Sequence, residues 1–134
     1  MEIVMGENMY AKKRLIQEAR RHLGEFTLSE KCLTAGSVAA ALITNDGNIH
    51  TGICIDLACG IGFCAEHSAI AEMLKHRETR IQMIVAVSEG GILPPCGRCR
   101  ELMMQLNEEN RQTKVVVAED KVIALQKLLP HPWR

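Results

Sequence analysis

The chain has 134 residues, enough for one compact domain with its own core, and its 16 basic residues balance its 16 acidic ones. Without a basic excess to follow a phosphate backbone, nucleic acid is excluded as the default partner. No apolar stretch approaches the ~20 residues of a membrane span, and the N-terminus does not read as a signal peptide. The composition therefore predicts a soluble, cytoplasmic protein in which the six cysteines are reduced.

Strands and helices alternate along the predicted secondary structure. The segment 45–47 reads Asn-Asp-Gly, a hairpin turn signal between two strands. The fully apolar run Ile81–Ser88 is typical of a buried central strand. The alternation predicts one α/β domain over residues 1–134, with a partly parallel sheet and helices on both faces. In chain order we predict a helix over 10–23, strands over 35–44 and 48–56, a helix over 64–75, a strand over 81–88, a loop over 90–95, a helix over 96–106, a strand over 113–119 and a short helix over 124–129.

Cys96 and Cys99 form a C-x-x-C motif at the start of a predicted helix, directly after Pro94 and Pro95. Residues i and i+3 of a helix share one face, so both thiols can contact one ion. Cys64 opens another helix, and two helix starts that face each other would place three sulfurs around one zinc ion. The positive ends of both helix dipoles favour thiolates there. We therefore predict Cys64, Cys96 and Cys99 as the zinc ligands.

Glu66 lies two residues after Cys64, in the same first helical turn. Three protein ligands leave one tetrahedral position open, which is typical of catalytic rather than structural zinc. Glu66 is not needed as a ligand, and it is placed to take a proton from water and pass it to a leaving group. Glu66 is thus the predicted catalytic residue. The alternative is a helix N-terminal carboxylate that the dipole stabilises.

The C-x-x-C motif by itself has two other interpretations. It occurs in redox-active dithiols, which follow an early strand of a βαβ unit, whereas here the motif comes late in the chain. It also occurs in closed structural zinc sites, for which Cys54, Cys59, His67 or His131 would supply a fourth ligand. Glu66 together with the P-C-x-x-C sequence favours the arrangement of zinc-dependent nucleobase deaminases.

Four segments match a known family: CAE at 64–66, PCGRCRE at 95–101, AAALITNDGNIHTG at 39–52 and LLP at 128–130. With them the chain resembles the cytidine deaminase family, and within it the blasticidin S deaminases, over roughly residues 10–130. The resemblance implies a three-layer α/β/α fold with a mixed five-stranded sheet and a Zn²⁺ cofactor. It also implies homo-oligomers, commonly tetramers, in which neighbouring subunits complete the active sites.

The resemblance also implies how a small cytosine-type substrate is held. Backbone near Phe63 and Ala65 and the carbonyls around Pro94 and Pro95 would hold the amide and amine edges of the ring. A C-terminal aromatic, here Trp133, would close over the substrate, and packing of the tail is the alternative interpretation. The implied reaction replaces the 4-amino group by oxygen and releases ammonia.

The family's sugar and base contacts are altered in this sequence. Cytidine deaminases hold ribose with N-x-E, and the matching residues here are Cys54, Ile55 and Asp56, so Asp56 is a predicted substrate contact. The family's base-stacking phenylalanine corresponds to Gly36. These changes predict a blasticidin-like or other modified cytosine compound as substrate. The alternatives are ordinary cytidine or deoxycytidine, and a catalytically inactive zinc-binding protein of the same fold.

Three thiolates around one zinc ion leave one net negative charge, so the site needs a positive or hydrogen-bonding neighbour. In tetrameric members of the family an arginine follows C-A-E and bonds a ligand sulfur, and here that position is His67. Two interpretations of His67 remain open: a hydrogen bond to a ligand sulfur, or packing of the side chain against the sheet. Arg98 and Arg100 are the other candidates for that positive charge, although the favoured prediction for each is a surface charge or an interface contact. The remaining cysteines are predicted to be small buried residues: Cys32, Cys54 and Cys59.

Overall fold

The computed structural model describes the backbone of residues 2–134 and the side chains of residue 6 and residues 8–134. No helix in this part of the chain is long and apolar enough to cross a membrane. In chain order the elements are α1 (Glu2–Arg21), β1 (Phe26–Thr27), β2 (Thr34–Thr44), β3 (Ile49–Asp56), α2 (Ala65–Lys75), β4 (Ile81–Ser88), β5 (Gly91–Leu93), α3 (Gly97–Leu106), β6 (Lys114–Ala118), β7 (Lys121–Ala124) and α4 (Leu125–Leu128), with 3₁₀ turns at Ala58–Gly60 and Glu108–Gln112.

The strands form one mixed sheet. Its path runs β1-β2-β4-β6-β7, with β3 paired to β2 and β5 paired to β4. The pair β4 and β6 is parallel and the other pairs are antiparallel, so the partly parallel sheet is confirmed. The predicted hairpin is also present, since β2 and β3 pair in register from Ala39 and Ile53 to Ile43 and Ile49.

The prediction of five strands is wrong, because the sheet has seven. Two of the unpredicted strands are very short: β1 has two residues and β5 has three. The segment predicted as a loop over 90–95 contains β5, which turns back and pairs with the end of β4. Strands this short show no alternation of polar and apolar residues, so only their pairing with β2 and β4 defines them.

Helices cover both faces of the sheet, as predicted. Buried residues of α1 form one core with the sheet: Leu15, Ile16, Ala19, Ala39, Ala41, Met83, Val85, Val87 and Val116. On the opposite face, buried residues of α2, α3 and α4 form a second core with the sheet: Leu42, Ala69, Ile70, Met73, Ile81, Ile84, Met103, Val115 and Leu125. Because α2 and α3 lie in the same layer, their first residues can approach each other at one end of the molecule.

Gly52 sets how closely α2 approaches the sheet. It lies in the middle of β3, and a Cβ atom there would collide with the backbone nitrogen of Ala69 and with the side chain of Ser68. The absence of a side chain at Gly52 therefore lets α2 lie directly on β3, which fixes the helix that carries Cys64 and Glu66.

We expect Gly52→Ala to lower the free energy of unfolding by about 1–3 kcal/mol, because the added methyl group overpacks this contact. Urea denaturation of the zinc-loaded protein measures the change. Gly90→Ala is the matched control, since the nearest atom to a Cβ at Gly90 would be the Ser88 hydroxyl at 3.8 Å. Equal unfolding free energies for the two variants would show that Gly52 does not set the packing of α2.

Candidate active site

Two helix N-termini meet at the predicted metal site. Cys64 and Cys96 are the N-cap residues of α2 and α3, with φ and ψ of −71° and 155° and of −70° and 169°. Neither thiol makes a capping hydrogen bond to its own helix. Cys99 lies in the first turn of α3 and is fully buried. All three sulfurs therefore lie where both helix dipoles present their positive ends.

The three sulfurs are spaced as a tetrahedral zinc ion requires. The Sγ atoms of Cys64 and Cys96 are 3.5 Å apart, and those of Cys96 and Cys99 are 3.6 Å apart. A disulfide would need about 2.05 Å. Tetrahedral zinc with Zn–S bonds of about 2.3 Å places its sulfur ligands about 3.8 Å apart. The donor set thus fits zinc.

The cluster has three members. Among the described residues, no fourth histidine, cysteine or carboxylate joins the group whose ligand atoms all lie within 4.8 Å of one another. Cys54, Cys59, His67 and His131, the candidates for a closed structural site, are therefore not part of it. Three ligands leave room for a further small molecule, as in catalytic zinc sites.

A short antiparallel bridge holds Cys64 beside the end of β3. The backbone groups of Ile55 and Phe63 exchange two hydrogen bonds of 3.0 Å each, which closes the loop between them. A Cβ atom at Gly62 would collide with the carbonyl of Ile55, so glycine permits this approach. The bridge places Phe63 and Cys64 next to the strand that carries Cys54 and Asp56.

Burial and neighbouring negative charge disfavour the thiolate forms of Cys64 and Cys99 unless a cation is bound. Burial raises the pKa of Cys64 and of Cys99, and the carboxylate of Glu66 raises both further. Burial also acts to raise the pKa of Cys96, but hydrogen bonds, first that from the backbone of Cys99, lower it below its ordinary value. A coordinated cation deprotonates its thiol ligands. Binding of a divalent metal ion would therefore offset the repulsion within the cluster.

Glu66 is buried beside the thiols. It lies in the first turn of α2, and only 5% of the residue is exposed. Burial raises the pKa of its carboxyl, while its own backbone N–H and the thiol of Cys99 act in the opposite direction. A carboxyl with a raised pKa takes up and releases protons closer to neutral pH, which suits a proton carrier. The catalytic role of Glu66 stays a prediction, and its carboxyl lies beside the thiols where that role requires it.

His67 contacts a ligand sulfur. Its Nδ1 lies 3.4 Å from the Sγ of Cys99, so of the two interpretations the structure has the hydrogen bond. Burial, and then the charge of Arg98, lower the pKa of His67 and so favour the neutral imidazole. A neutral His67 can donate one N–H to the sulfur of Cys99, and Arg98 supplies positive charge close to His67.

A small inner cavity of about 140 Å³ lies over the thiols. Glu66, Ala65 and Pro94 line it together with Cys64 and Cys96. The carbonyl of the neighbouring Pro95 accepts a hydrogen bond of 2.9 Å from the Nε of Arg100. Of the two proline carbonyls predicted to hold a substrate, that of Pro94 is thus the one without this competing partner.

A larger outer cavity of about 360 Å³ adjoins the inner one, with Cys54 and Cys64 lining both. Asp56, Phe63 and Arg98 also line the outer cavity. Asp56 and Phe63 thus lie in one cavity next to the thiols, and their substrate contacts stay predictions. No sequence signal places Arg98 in this cavity, since a single arginine between two cysteines also fits a surface charge.

Cys54 belongs to a polar group between the two cavities. Its Sγ accepts a hydrogen bond of 3.3 Å from the backbone N–H of Val38 and lies 3.2 Å from the Oγ of Ser37. The Ser37 hydroxyl also donates to the carboxylate of Asp56 at 3.3 Å. Cys54 is buried as predicted, but Cys32 and Cys59 are exposed, so the prediction for those two is wrong. Cys32 lies in a surface turn and Cys59 in the exposed 3₁₀ turn Ala58–Gly60, where a thiol has no core to join.

Among the described residues, those that line the inner and outer cavities do not include Trp133. It is 79% exposed, and its backbone N–H donates to a carboxylate oxygen of Glu101 at 2.7 Å. The tail is thus bound to the outside of α3. In this structure Trp133 does not close over the site of its own chain, because that hydrogen bond holds the tail against α3.

The sequence profile described as "Cytidine and deoxycytidylate deaminase zinc-binding region" matches residues 9–119. The chain is also 30% identical over 71 residues to a protein named cytidine deaminase from Mycobacterium tuberculosis, which covers 52% of this chain and 53% of that protein. The chain thus spans about half the length of the curated relative that it matches.

Solved structures share the fold over most of the chain. The crystal structure of cytidine deaminase from Mycobacterium tuberculosis has a TM-score of 0.76 at 22% identity, covering 91% of this chain and 96% of that one. The cytidine deaminase structure from Burkholderia pseudomallei has a TM-score of 0.72 at 28% identity, covering 90% and 98%. Both confirm the α/β fold that the sequence predicts.

Proposed function

The chain belongs to the cytidine and deoxycytidylate deaminase zinc-binding family, and from this premise we propose that it is a zinc-dependent hydrolytic deaminase of a small cytosine-containing compound. Residues 1–134 would form a single catalytic domain, with zinc held by Cys64, Cys96 and Cys99. One observation carries the proposal. The buried Glu66 carboxyl lies beside three thiols and lines a cavity large enough for part of a small ring.

The chemistry that a bound zinc ion supplies here is Lewis acidity, which makes water nucleophilic near neutral pH. Glu66 takes a proton from the attacking water and delivers it to the ring nitrogen next to the reacting carbon. Glu66 then takes the remaining proton of that water oxygen and passes it to the amino group, which leaves as ammonia while the oxygen forms the ring carbonyl. The water oxygen thus replaces the 4-amino nitrogen, and one ammonia leaves for each water consumed.

Backbone groups around the inner cavity would orient the ring. The carbonyl of Pro94 would accept from the 4-amino group, since Pro94 and Ala65 line the same cavity. The small volume of this cavity favours a single ring. The balanced charge of the chain, 16 basic and 16 acidic residues, supports a free small molecule rather than a nucleic acid as substrate.

For the part of the substrate outside the ring, the outer cavity offers contacts unlike ribose contacts. Cys54 stands where the family has an amide, and a thiol cannot copy the paired donor and acceptor of an amide. Asp56 keeps the carboxylate of the family's glutamate, but its side chain is one methylene shorter and so reaches less far into the cavity. We therefore propose a blasticidin-like or other modified cytosine compound as the preferred substrate.

The position of the family's stacking phenylalanine supports the same proposal. Gly36 has a φ of +87°, and a Cβ atom there would collide with the carbonyl oxygen of Gly24. No aromatic side chain fits at this position without a change in the backbone. Phe63 is the aromatic residue that lines the outer cavity, so ring stacking would come from the segment that is bridged to Ile55 in β3.

Steady-state kinetics test the substrate class. We expect kcat/KM for blasticidin S or another modified cytosine compound to exceed that for cytidine and deoxycytidine, because the contacts that select ribose are altered at Cys54 and Asp56. A kcat/KM for cytidine of about 10⁴ M⁻¹s⁻¹ or more, and higher than for every other cytosine compound, would overturn the preference and leave an ordinary cytidine deaminase.

We also propose that the protein is a homo-oligomer, with the tetramer favoured. Two exposed apolar side chains near the cavities support it: Ile61 is 69% exposed and Leu93 is 40% exposed. A neighbouring copy would cover them, and its Trp133 would be free to approach the site from outside. Light scattering should give a mass of four chains at micromolar concentration, and a monomer mass would contradict the proposal.

A further inference from the structure

The side chain of Arg100 contacts two backbone carbonyls from different parts of the chain. Its Nε donates to the carbonyl oxygen of Pro95 at 2.9 Å, and its Nη1 donates to that of Leu128 at 3.0 Å. Pro95 directly precedes the N-cap residue Cys96, and Leu128 is the last residue of α4. Arg100 therefore connects the segment before α3 to the C-terminal helix, whereas a freely solvated surface charge would make neither contact.

We propose that Arg100 is a positioning residue for the metal centre. It fixes the segment from Pro94 to Cys96 against the carbonyl end of α4, so that the C-terminal helix supports the site. The kinetic consequences rest on the function proposed above, whereas the effect on metal binding does not.

The segment depends on its carbonyls for its position. Pro94 and Pro95 have no backbone N–H, so neither can be held by donating a hydrogen bond. Pro95 is buried, and its carbonyl would lose its hydrogen bond without Arg100. The orientation of this carbonyl sets the peptide plane that leads into Cys96. Arg100 thus acts on the first thiol of the motif through the residue before it.

The second hydrogen bond of Arg100 goes to the Leu128 carbonyl, whose position is fixed because α4 is packed into the core. The last carbonyls of a helix have no partner within the helix, and Leu128 supplies such a carbonyl at the end of α4. The helix is held by Leu125, which is fully buried in the core shared by α2 and α3. A planar guanidinium holds its donors in a rigid fork, which a lysine ammonium cannot reproduce.

The test compares Arg100→Met and Arg100→Lys with Arg111→Met as a matched control, all in the full chain loaded with zinc. Arg111 is exposed and lies in the 3₁₀ turn that follows α3. Stopped-flow transfer of zinc to a chromophoric chelator gives the rate of zinc release. Residues that orient metal ligands typically change affinity or activity 10- to 100-fold when mutated.

We expect Arg100→Met to release zinc at least about tenfold faster than the native chain and Arg100→Lys at least about threefold faster, with Arg111→Met within twofold. On the best substrate, kcat/KM of Arg100→Met should fall about tenfold or more, mainly through KM, because the Pro94 carbonyl is displaced. Faster zinc release in a chain without any deaminase activity would support this proposal while the proposed function fails.

A purely structural role predicts a different result. It lowers the melting temperatures of the zinc-loaded and zinc-free forms equally and leaves the zinc release rate at the native value, and this outcome overturns the proposal. If Arg100→Met does not fold, Arg100→Lys decides alone. Native zinc release in a folded Arg100→Lys variant overturns the proposal.

Discussion

Glu66→Gln should lower kcat by about 10³-fold, within the range of about 10²–10⁴ that general acid–base catalysis contributes. Glutamine has nearly the same shape as glutamate and keeps the buried position, but its amide cannot carry a proton between water and a leaving group. The zinc content and the fold should persist, because the proposed ligands are the three cysteines. Initial rates at saturating substrate, together with zinc analysis of the same samples, measure the effect.

Glu72→Gln is the matched control for this experiment. Glu72 lies on the same helix, but its carboxylate contacts His50 at 3.1 Å and lines neither the inner nor the outer cavity. Its kcat should stay within about twofold of the native value. A Glu66→Gln variant with near-native kcat would show that Glu66 does not transfer the proton.

Cys99→Ser should remove zinc from the protein and turnover with it. Zinc binds cysteine-rich sites with about 10–16 kcal/mol at pH 7, so one of three equal ligands accounts for about 3–5 kcal/mol. That loss corresponds to a roughly hundred- to several-thousand-fold weaker affinity. After dialysis against a weak chelator, elemental analysis should find little zinc in Cys99→Ser.

Cys32→Ser provides the same substitution at an exposed cysteine outside the cluster. It should keep about one zinc per chain and native turnover. If Cys99→Ser retained as much zinc as Cys32→Ser, the three-thiol site would be disproved.

The sequence predicts best where a residue's role depends on its own segment. The strand Ile81–Ser88 has the predicted bounds, because an apolar run of this length is stable as a strand only with both faces covered. The zinc cluster was predictable for the same reason, since helix geometry relates Cys96 to Cys99. A cysteine also begins α2, and prolines mark the start of α3.

The sequence predicts poorly where a contact depends on distant backbone. The role of Arg100 requires the carbonyl of Leu128, and every residue has a carbonyl, so no sequence pattern singles out that acceptor. The strands β1 and β5 exist because β2 and β4 offer free edges to two or three residues each. The exposed position of Trp133 follows from a backbone hydrogen bond to Glu101, which likewise leaves no mark on the sequence.

The central claim is that this three-thiol site with Glu66 removes the 4-amino group of a cytosine compound by hydrolysis. The most direct test measures ammonia release by the zinc-loaded native chain and by Glu66→Gln, over a panel of cytidine, deoxycytidine and blasticidin S, in water enriched in ¹⁸O. We predict that the native chain releases one ammonia per substrate consumed and places one ¹⁸O atom on the product ring, and that Glu66→Gln does neither at a comparable rate. A folded native chain with about one zinc ion that releases no ammonia from any of these compounds would contradict the account.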